Sequence, residues 1–244
     1  MILEFKNLKK KFGERTVLNS INFSVERGEI VFILGQSGTG KSVLLKNIVG
    51  LLKPEEGEIL FEGKNITNYS EKEMQEVRKK CGMVFQQPAL FDSISIFENI
   101  AYGLHKHFGF NEKIIHEKVL RALKSVNLND TILEQKPAQL SYGMQKRVSL
   151  ARTLVLEPEV LLFDEPTTGL DPVTTTAINQ LIKQVSVQYK TTSIIVSHDM
   201  KCAMEIADRF IFLDKGIVIF NGGKNDVKTS KQPLVREFFL EVHA

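Results

Sequence analysis

The eight residues Gly35-Gln36-Ser37-Gly38-Thr39-Gly40-Lys41-Ser42 constrain this chain more than any other stretch. They fit the pattern GxxxxGK[ST], with the apolar run Ile30–Leu34 before them and the helix-like segment Lys41–Val49 after. A strand, a glycine-rich turn and a helix in that order curl the backbone so that successive N–H groups face one centre. The result is an anion nest at a helix N-terminus. Gly35, Gln36, Ser37, Gly38, Thr39 and Gly40 supply the nest. Lys41 is placed to reach β- and γ-phosphates, and the Ser42 hydroxyl suits Mg²⁺. Such a loop specifies a nucleotide without saying which kind of protein uses it. No NKxD-type guanine-reading motif follows downstream.

The remaining pattern agrees with an α/β fold around a mainly parallel sheet. Val160–Phe163 and Ser193–Val196 are short apolar runs, as strands buried on both faces are. Each leads through a turn into a helix-like segment, Pro172–Val187 and Met200–Ile206. Pro172 fits the first turn of its helix, where no N–H is needed. Two regions break the alternation. Ile2–Lys6 and Val17–Val25 read as antiparallel strands that Gly57–Glu62 can join. From about Pro88 to Glu157 the strand pattern vanishes, and Ile115, Val119, Leu120, Leu123 and Val126 recur at helical spacing. The expectation is one unit over residues 1–244, with a helical subdomain inserted at about 88–157.

Bulk properties exclude several classes. The apolar fraction of 43% suits a chain of 244 residues with a full core. A formal charge of +3 is too small to suggest nucleic acid as a partner. Lys9–Lys10–Lys11 is the densest basic run and reads as a solvated face. Cys81 and Cys202 have no CxxC or Cys/His spacing, which fits buried free thiols in a reducing compartment. No apolar stretch approaches the ~20 residues that cross a bilayer, and the start lacks the regions of a signal peptide. Any membrane role has to come through a partner.

A second set of chemical groups lies downstream. The run Val160–Phe163 ends in Asp164 and Glu165. A strand-end carboxylate can hold Mg²⁺, a role suited to Asp164, while Glu165 just beyond can polarise an attacking water as general base. Taken alone, such acids are as often helix caps. His198 follows the strand Ser193–Val196, and Gln86 ends the run Gly82–Phe85; either is ordinary by itself. The neutral Gln86 side chain could reach Mg²⁺ or the lytic water.

Leu140-Ser141-Tyr142-Gly143-Met144-Gln145-Lys146-Arg147 leads into a helix with an apolar face of Met144, Val148, Ala151 and Val155, and Ser141 stands at its N-cap position. This segment resembles the signature sequence of ATP-binding cassette (ABC) ATPases, LSGGQ in its common form. The other elements then fall into that family's order. Phe12 resembles the aromatic that stacks on adenine, Gly35–Ser42 the Walker A motif, and Gln86 the Q-loop glutamine. Asp164 and Glu165 look like the end of Walker B, Gly169-Leu170-Asp171 like the D-loop, and His198 like the switch histidine. The resemblance implies a RecA-like P-loop NTPase core with an N-terminal antiparallel β subdomain and an inserted α-helical subdomain. It implies an ATPase using ATP and Mg²⁺, with Glu165, His198, Gln86 and Lys41 catalytic. It also implies a head-to-tail dimer in which Ser141 and Gly143 of one copy meet the γ-phosphate held by the other.

Met144 in the signature and Ala89-Leu90-Phe91-Asp92-Ser93 after the Q-loop resemble the Mla/MCE-associated lipid-trafficking ATPases. That likeness implies an integral-membrane permease and an MCE-type lipid-binding protein as partners, at the cytoplasmic face of a bacterial membrane. Tyr142, where the common signature has glycine, is compatible with function if its ring projects away from the dimer interface. An importer ATPase for a small polar solute, a non-transport ABC protein and a cassette that binds ATP without turnover are the competing readings.

Overall fold

The computed structural model describes residues 1–241. Two long strands open the chain, β1 (Leu3–Phe12) and β2 (Arg15–Val25), paired antiparallel with Phe12 opposite Arg15 across the turn. Then come β3 (Ile30–Leu34), α1 (Lys41–Ile48), β4 (Glu56–Phe61), β5 (Lys64–Asn65), α2 (Glu71–Lys80) and β6 (Cys81–Val84). Three helices follow, α3 (Ile96–His107), α4 (Glu112–Ser125) and α5 (Tyr142–Leu154). The chain continues with β7 (Val160–Asp164), α6 (Pro172–Tyr189), β8 (Thr192–Ser197) and α7 (Met200–Ile206). It closes with β9 (Arg209–Asp214), β10 (Ile217–Gly223), α8 (Lys224–Thr229) and α9 (Pro233–Glu241).

The strands form two sheets, one ordered β2-β1-β4-β5 and antiparallel, the other ordered β10-β9-β3-β8-β7-β6. In the second, only the edge strand β10 runs antiparallel to its neighbour. Alternation along its strands divides the core. Ile30, Phe32, Leu34, Leu161 and Phe163 face a cluster shared with the helices after β6, while Val31, Ile33, Val160 and Leu162 face the antiparallel sheet and α1. With both faces covered, these strands have no polar side, hence their continuous apolar sequence. β9 and β10 extend the sheet beyond the strands that the sequence pattern picks out.

No strand occurs between β6 and β7, and the helices there start at side-chain caps. Ser95 accepts from the Glu98 N–H in a capping box, Asn111 from Ile114, and Ser141 from Met144. Each cap satisfies an N–H that the helix cannot. Asp171 does the same for α6 ahead of Pro172.

The basic run near the start behaves otherwise than expected. Lys10 is buried, and its ammonium donates to the Lys53 carbonyl at 2.6 Å and to Glu55 at 2.7 Å. Lys9 pairs with Glu56 at 3.0 Å. The run is therefore a fastening of β1 to the start of β4 and the segment before it rather than a solvated face. Cys81 and Cys202 are free and buried, and burial pushes both thiols up, away from reactivity.

Arg209 joins the two sheets. Its guanidinium donates to Glu29 at 2.6 and 2.8 Å and to the Ser24 carbonyl at 2.6 Å. Arg209→Met keeps the aliphatic packing but strips partners from a mostly buried carboxylate. The expected loss is ~1–3 kcal/mol, read as a lower urea midpoint at unchanged slope.

Candidate functional site

The site grows from the end of β3. Gly35 has φ 152°, and a Cβ there would stand 2.2 Å from the Leu213 carbonyl oxygen. Gly40, at φ 103°, caps α1 without any side-chain hydrogen bond, and the first turn carries no acid. The positive end of α1 and its free N–H groups are thus left for an anion. Lys41 is buried, and its Nζ donates to the carbonyls of Gly35 at 2.7 Å and Gln36 at 3.0 Å. Burial pulls the Lys41 ammonium down, while Glu165, 3.7 Å away, opposes that pull.

The Ser42 hydroxyl donates to Asp164 Oδ1 at 2.6 Å, which joins the loop to the end of β7. Glu165 comes next, in the left-handed region at φ 49°. That conformation costs about 1–3 kcal/mol in a non-glycine residue and persists where the surroundings fix it. Here the Glu165 N–H donates to the Val196 carbonyl at 3.0 Å, and the Thr168 hydroxyl donates to Glu165 Oε2 at 3.3 Å. His198 Nδ1 lies 2.9 Å from the same Oε2. The twist aims the carboxylate between Lys41 and His198 rather than along the strand.

Gln36, Ser37, Gly38, Gly40, Lys41, Ser42, Gln86, Glu165 and His198 line one cavity of about 730 Å³. Gly35 and Asp164 lie just beneath it, linked through Lys41 and Ser42. Thr39 turns back, its hydroxyl donating to the Gln36 carbonyl at 2.9 Å. Phe12 does not line the cavity; its hairpin partner Arg15 does, with Val17. Ser141 and Gly143 do not line it either. Ser141 is exposed, and its oxygen is used within the chain as the cap of α5. A Cβ at Gly143 would meet Thr174 Cγ2 at 3.0 Å, so close packing on α6 also favours glycine.

Three contributors escaped the sequence reading. Arg15 and Thr168 carry no motif; the one signal for Arg15 is its place across the turn from Phe12. Lys146 looks like a surface residue beside Arg147, yet it is buried with its Nζ donating to the carbonyls of Pro166 at 2.7 Å and Thr168 at 3.2 Å.

Comparison with known proteins follows this geometry closely. The family model described as ABC transporter matches residues 18–168. The chain belongs to the ABC transporter family. It is the ATP-binding, ATP-hydrolysing subunit of that family, a motor for a membrane transporter. A relative is the intermembrane phospholipid transport system ATP-binding protein MlaF of Haemophilus influenzae, 41% identical over 97% of this chain and 89% of its own. Another is a probable ribonucleotide transport ATP-binding protein, mkl, of Mycobacterium leprae, 40% identical over 97% of this chain and 68% of that one. Among solved structures, the dimeric post-hydrolysis state of the cassette MJ0796 bound to ADP and Pi superposes with TM-score 0.83. It is 33% identical and covers 91% of this chain and 98% of its own. Cassettes of this family work as dimers, which accounts for a signature that stands apart from the cavity of its own chain.

The arrangement has what phosphoryl transfer to water requires: donors around the phosphates, a buried cation, and a carboxylate held by a histidine beside them. Glu165→Gln removes the carboxylate expected to act as base and keeps the shape. Turnover is expected to fall by ~10²–10⁴, while equilibrium ATP titration stays near wild type. Lys41→Ala should instead weaken the titration itself.

Proposed function

We propose that this chain powers the movement of phospholipid between bacterial envelope membranes, through a separate permease that works with an MCE-type lipid-binding protein. The alignment with MlaF over nearly the full length of both chains is the observation that carries this reading. Among the described residues no helix is long and apolar enough to cross a membrane, which agrees with a permease made as a separate chain. Anchored through that permease, the subunit would act at the cytoplasmic face of the membrane.

Lys41 and the N–H groups of residues 36–42 bind phosphate, and Phe12, exposed outside the cavity and paired with its lining residue Arg15, stacks on adenine. Glu165 activates water, His198 holds Glu165, and Gln86 reaches Mg²⁺ or the lytic water from the cavity wall. Ser42 and Asp164 are assigned to Mg²⁺. Their two hard oxygens stand 2.6 Å apart at the cavity floor. Among the described residues there is no cage of three or more His, Cys, Asp or Glu side chains. A magnesium ion that takes one or two protein oxygens and completes its shell with phosphate and water fits this donor set. Its charge would offset that of the phosphates. Residues 1–244 would work as one nucleotide-binding unit, with the arm at about 88–157 carrying the signature.

Phe91 is the candidate seat for the permease. It is exposed, its ring centre 4.8 Å from that of Tyr102 and 5.8 Å from the Arg152 guanidinium. Leu90 packs on the core, as a residue that fixes the arm would. Beneath them the Arg152 guanidinium donates to the carbonyls of Ala89 and Pro88 at 2.9 and 3.3 Å. A rigid, exposed aromatic is the type of anchor that dominates interface energy.

Two experiments bear on the proposal. Native complex purified from membranes should carry bound phospholipid, identifiable by mass spectrometry. A bound ribonucleotide cargo, of the class named for the mycobacterial relative, would overturn the lipid reading. Phe91→Asp should leave ATP binding intact and strip the subunit from the permease in pull-downs; undiminished capture would place the docking site elsewhere.

A further inference from the structure

One face of the first turns of α5 reaches two loops of its own chain, the one after β6 and the one between β7 and α6. Tyr142 and Lys146 are four residues apart and so lie one above the other on the helix. Lys146 Nζ sits 5.3 Å from the centre of the Tyr142 ring. The Tyr142 hydroxyl donates to the Gln86 carbonyl at 3.4 Å, in the Q-loop. Tyr142 Cε1 would lie 3.8 Å from a Cβ at Gly169, where the D-loop begins. Lys146 holds the intervening carbonyls of Pro166 and Thr168, directly after Glu165.

Lys146 is only 6% exposed. Among the described residues it has no carboxylate within ion-pair distance, and burial lowers its ammonium to about 8 despite the opposing charge of Glu165. An ammonium taken out of water at such cost needs a use. Its donors can hold two carbonyls at once while its charge faces an aromatic ring. A methionine of similar length would fill the space but hold neither carbonyl.

We propose that Tyr142 and Lys146 are positioning residues, forming a clamp that couples the two ATP sites of the dimer. The inference rests on the head-to-tail arrangement. In that arrangement Ser141 serves the nucleotide of the partner subunit, whereas Glu165 serves the chain's own. The clamp joins the residue after Ser141 to the residues after Glu165, so displacement of the signature by one nucleotide moves the loop that presents the base to the other. Tyr142 thereby has a task that glycine at that position could not perform. Its ring is turned toward Gln86 and Gly169 of its own chain, as a working signature with tyrosine requires.

The test uses the complete complex with its permease and follows ATPase rate against ATP concentration. Wild type should show a Hill coefficient between one and two, as two coupled sites allow. Lys146→Met and Tyr142→Leu should lower it to about one while kcat changes by less than about tenfold, a difference of roughly 1.4 kcal/mol in barrier. ATP titration of the isolated subunit should be unchanged. Tyr142→Phe, which keeps the ring and loses only a long hydrogen bond, should retain cooperativity. Because Tyr142 is exposed, its variants carry the test even if Lys146→Met fails to fold. A Hill coefficient of one in wild type, or wild-type cooperativity in Tyr142→Leu, would overturn the clamp. Dimer formation with ATP in a Glu165→Gln background is measured separately. If that parent stays monomeric, the head-to-tail reading fails and takes the clamp with it; if it dimerises, loss or retention of cooperativity judges the clamp alone.

Discussion

Parallel pairing of β3, β7 and β8 is the constraint on which everything else in this protein depends. The register sets Leu34 beside Ser197 and Asp164 beside Val196, so three strands end together on one edge. From that edge the phosphate loop, the acidic pair and His198 emerge as neighbours. Residues 41, 165 and 198, far apart in sequence, come within hydrogen-bond or ion-pair reach because the ladder allows no other arrangement. Covering both faces of the sheet with apolar packing keeps the ladder rigid, and this rigidity lets Glu165 hold a left-handed backbone.

A second ordering principle runs through α5. Two cations on this helix, Lys146 buried and Arg152 half-buried, find carbonyl oxygens rather than carboxylates: Lys146 holds the loop after β7, and Arg152 holds the loop after β6. Neutral acceptors cannot repay the desolvation of a charge as an ion pair does, and burial accordingly lowers both groups. What the arrangement supplies is position. Both loops carry residues that line the cavity, Gln86 in one and Glu165 and Thr168 in the other, and one helix references them to each other. Any shift of α5 would be felt by both loops, a use of packed elements that suits a motor driven by ATP turnover.

Sequence legibility followed locality. The phosphate loop could be read because its strand, glycines and helix are contiguous, and the backbone conformation they demand is local. Ser141 and Pro172 were legible for the same reason, since caps and first turns involve neighbours. Lys9–Lys11 misled because its partners, Glu55 and Glu56, lie across a sheet that composition does not reveal. Arg15 was hidden by exposure and lack of motif, and β9 and β10 by the absence of a functional turn after them.

By itself, then, the amino-acid sequence determined the chemical inventory: a nest for phosphate, a lysine, a serine, an acidic pair, a histidine and a signature segment in a fixed order. It determined the elements that carry them, because helical and strand periodicity and capping act over a few residues. The tertiary structure alone decided which groups meet. The link between Ser42 and Asp164 spans 122 positions and depends on strand register. The burial of Lys146 depends on where α5 is laid against the loop after β7. The direction of the Tyr142 ring depends on two loops, after β6 and after β7, that only the folded sheet brings to one helix face. Such contacts are set by long-range packing, whose energy is shared among many residues and is written in no single segment of the chain.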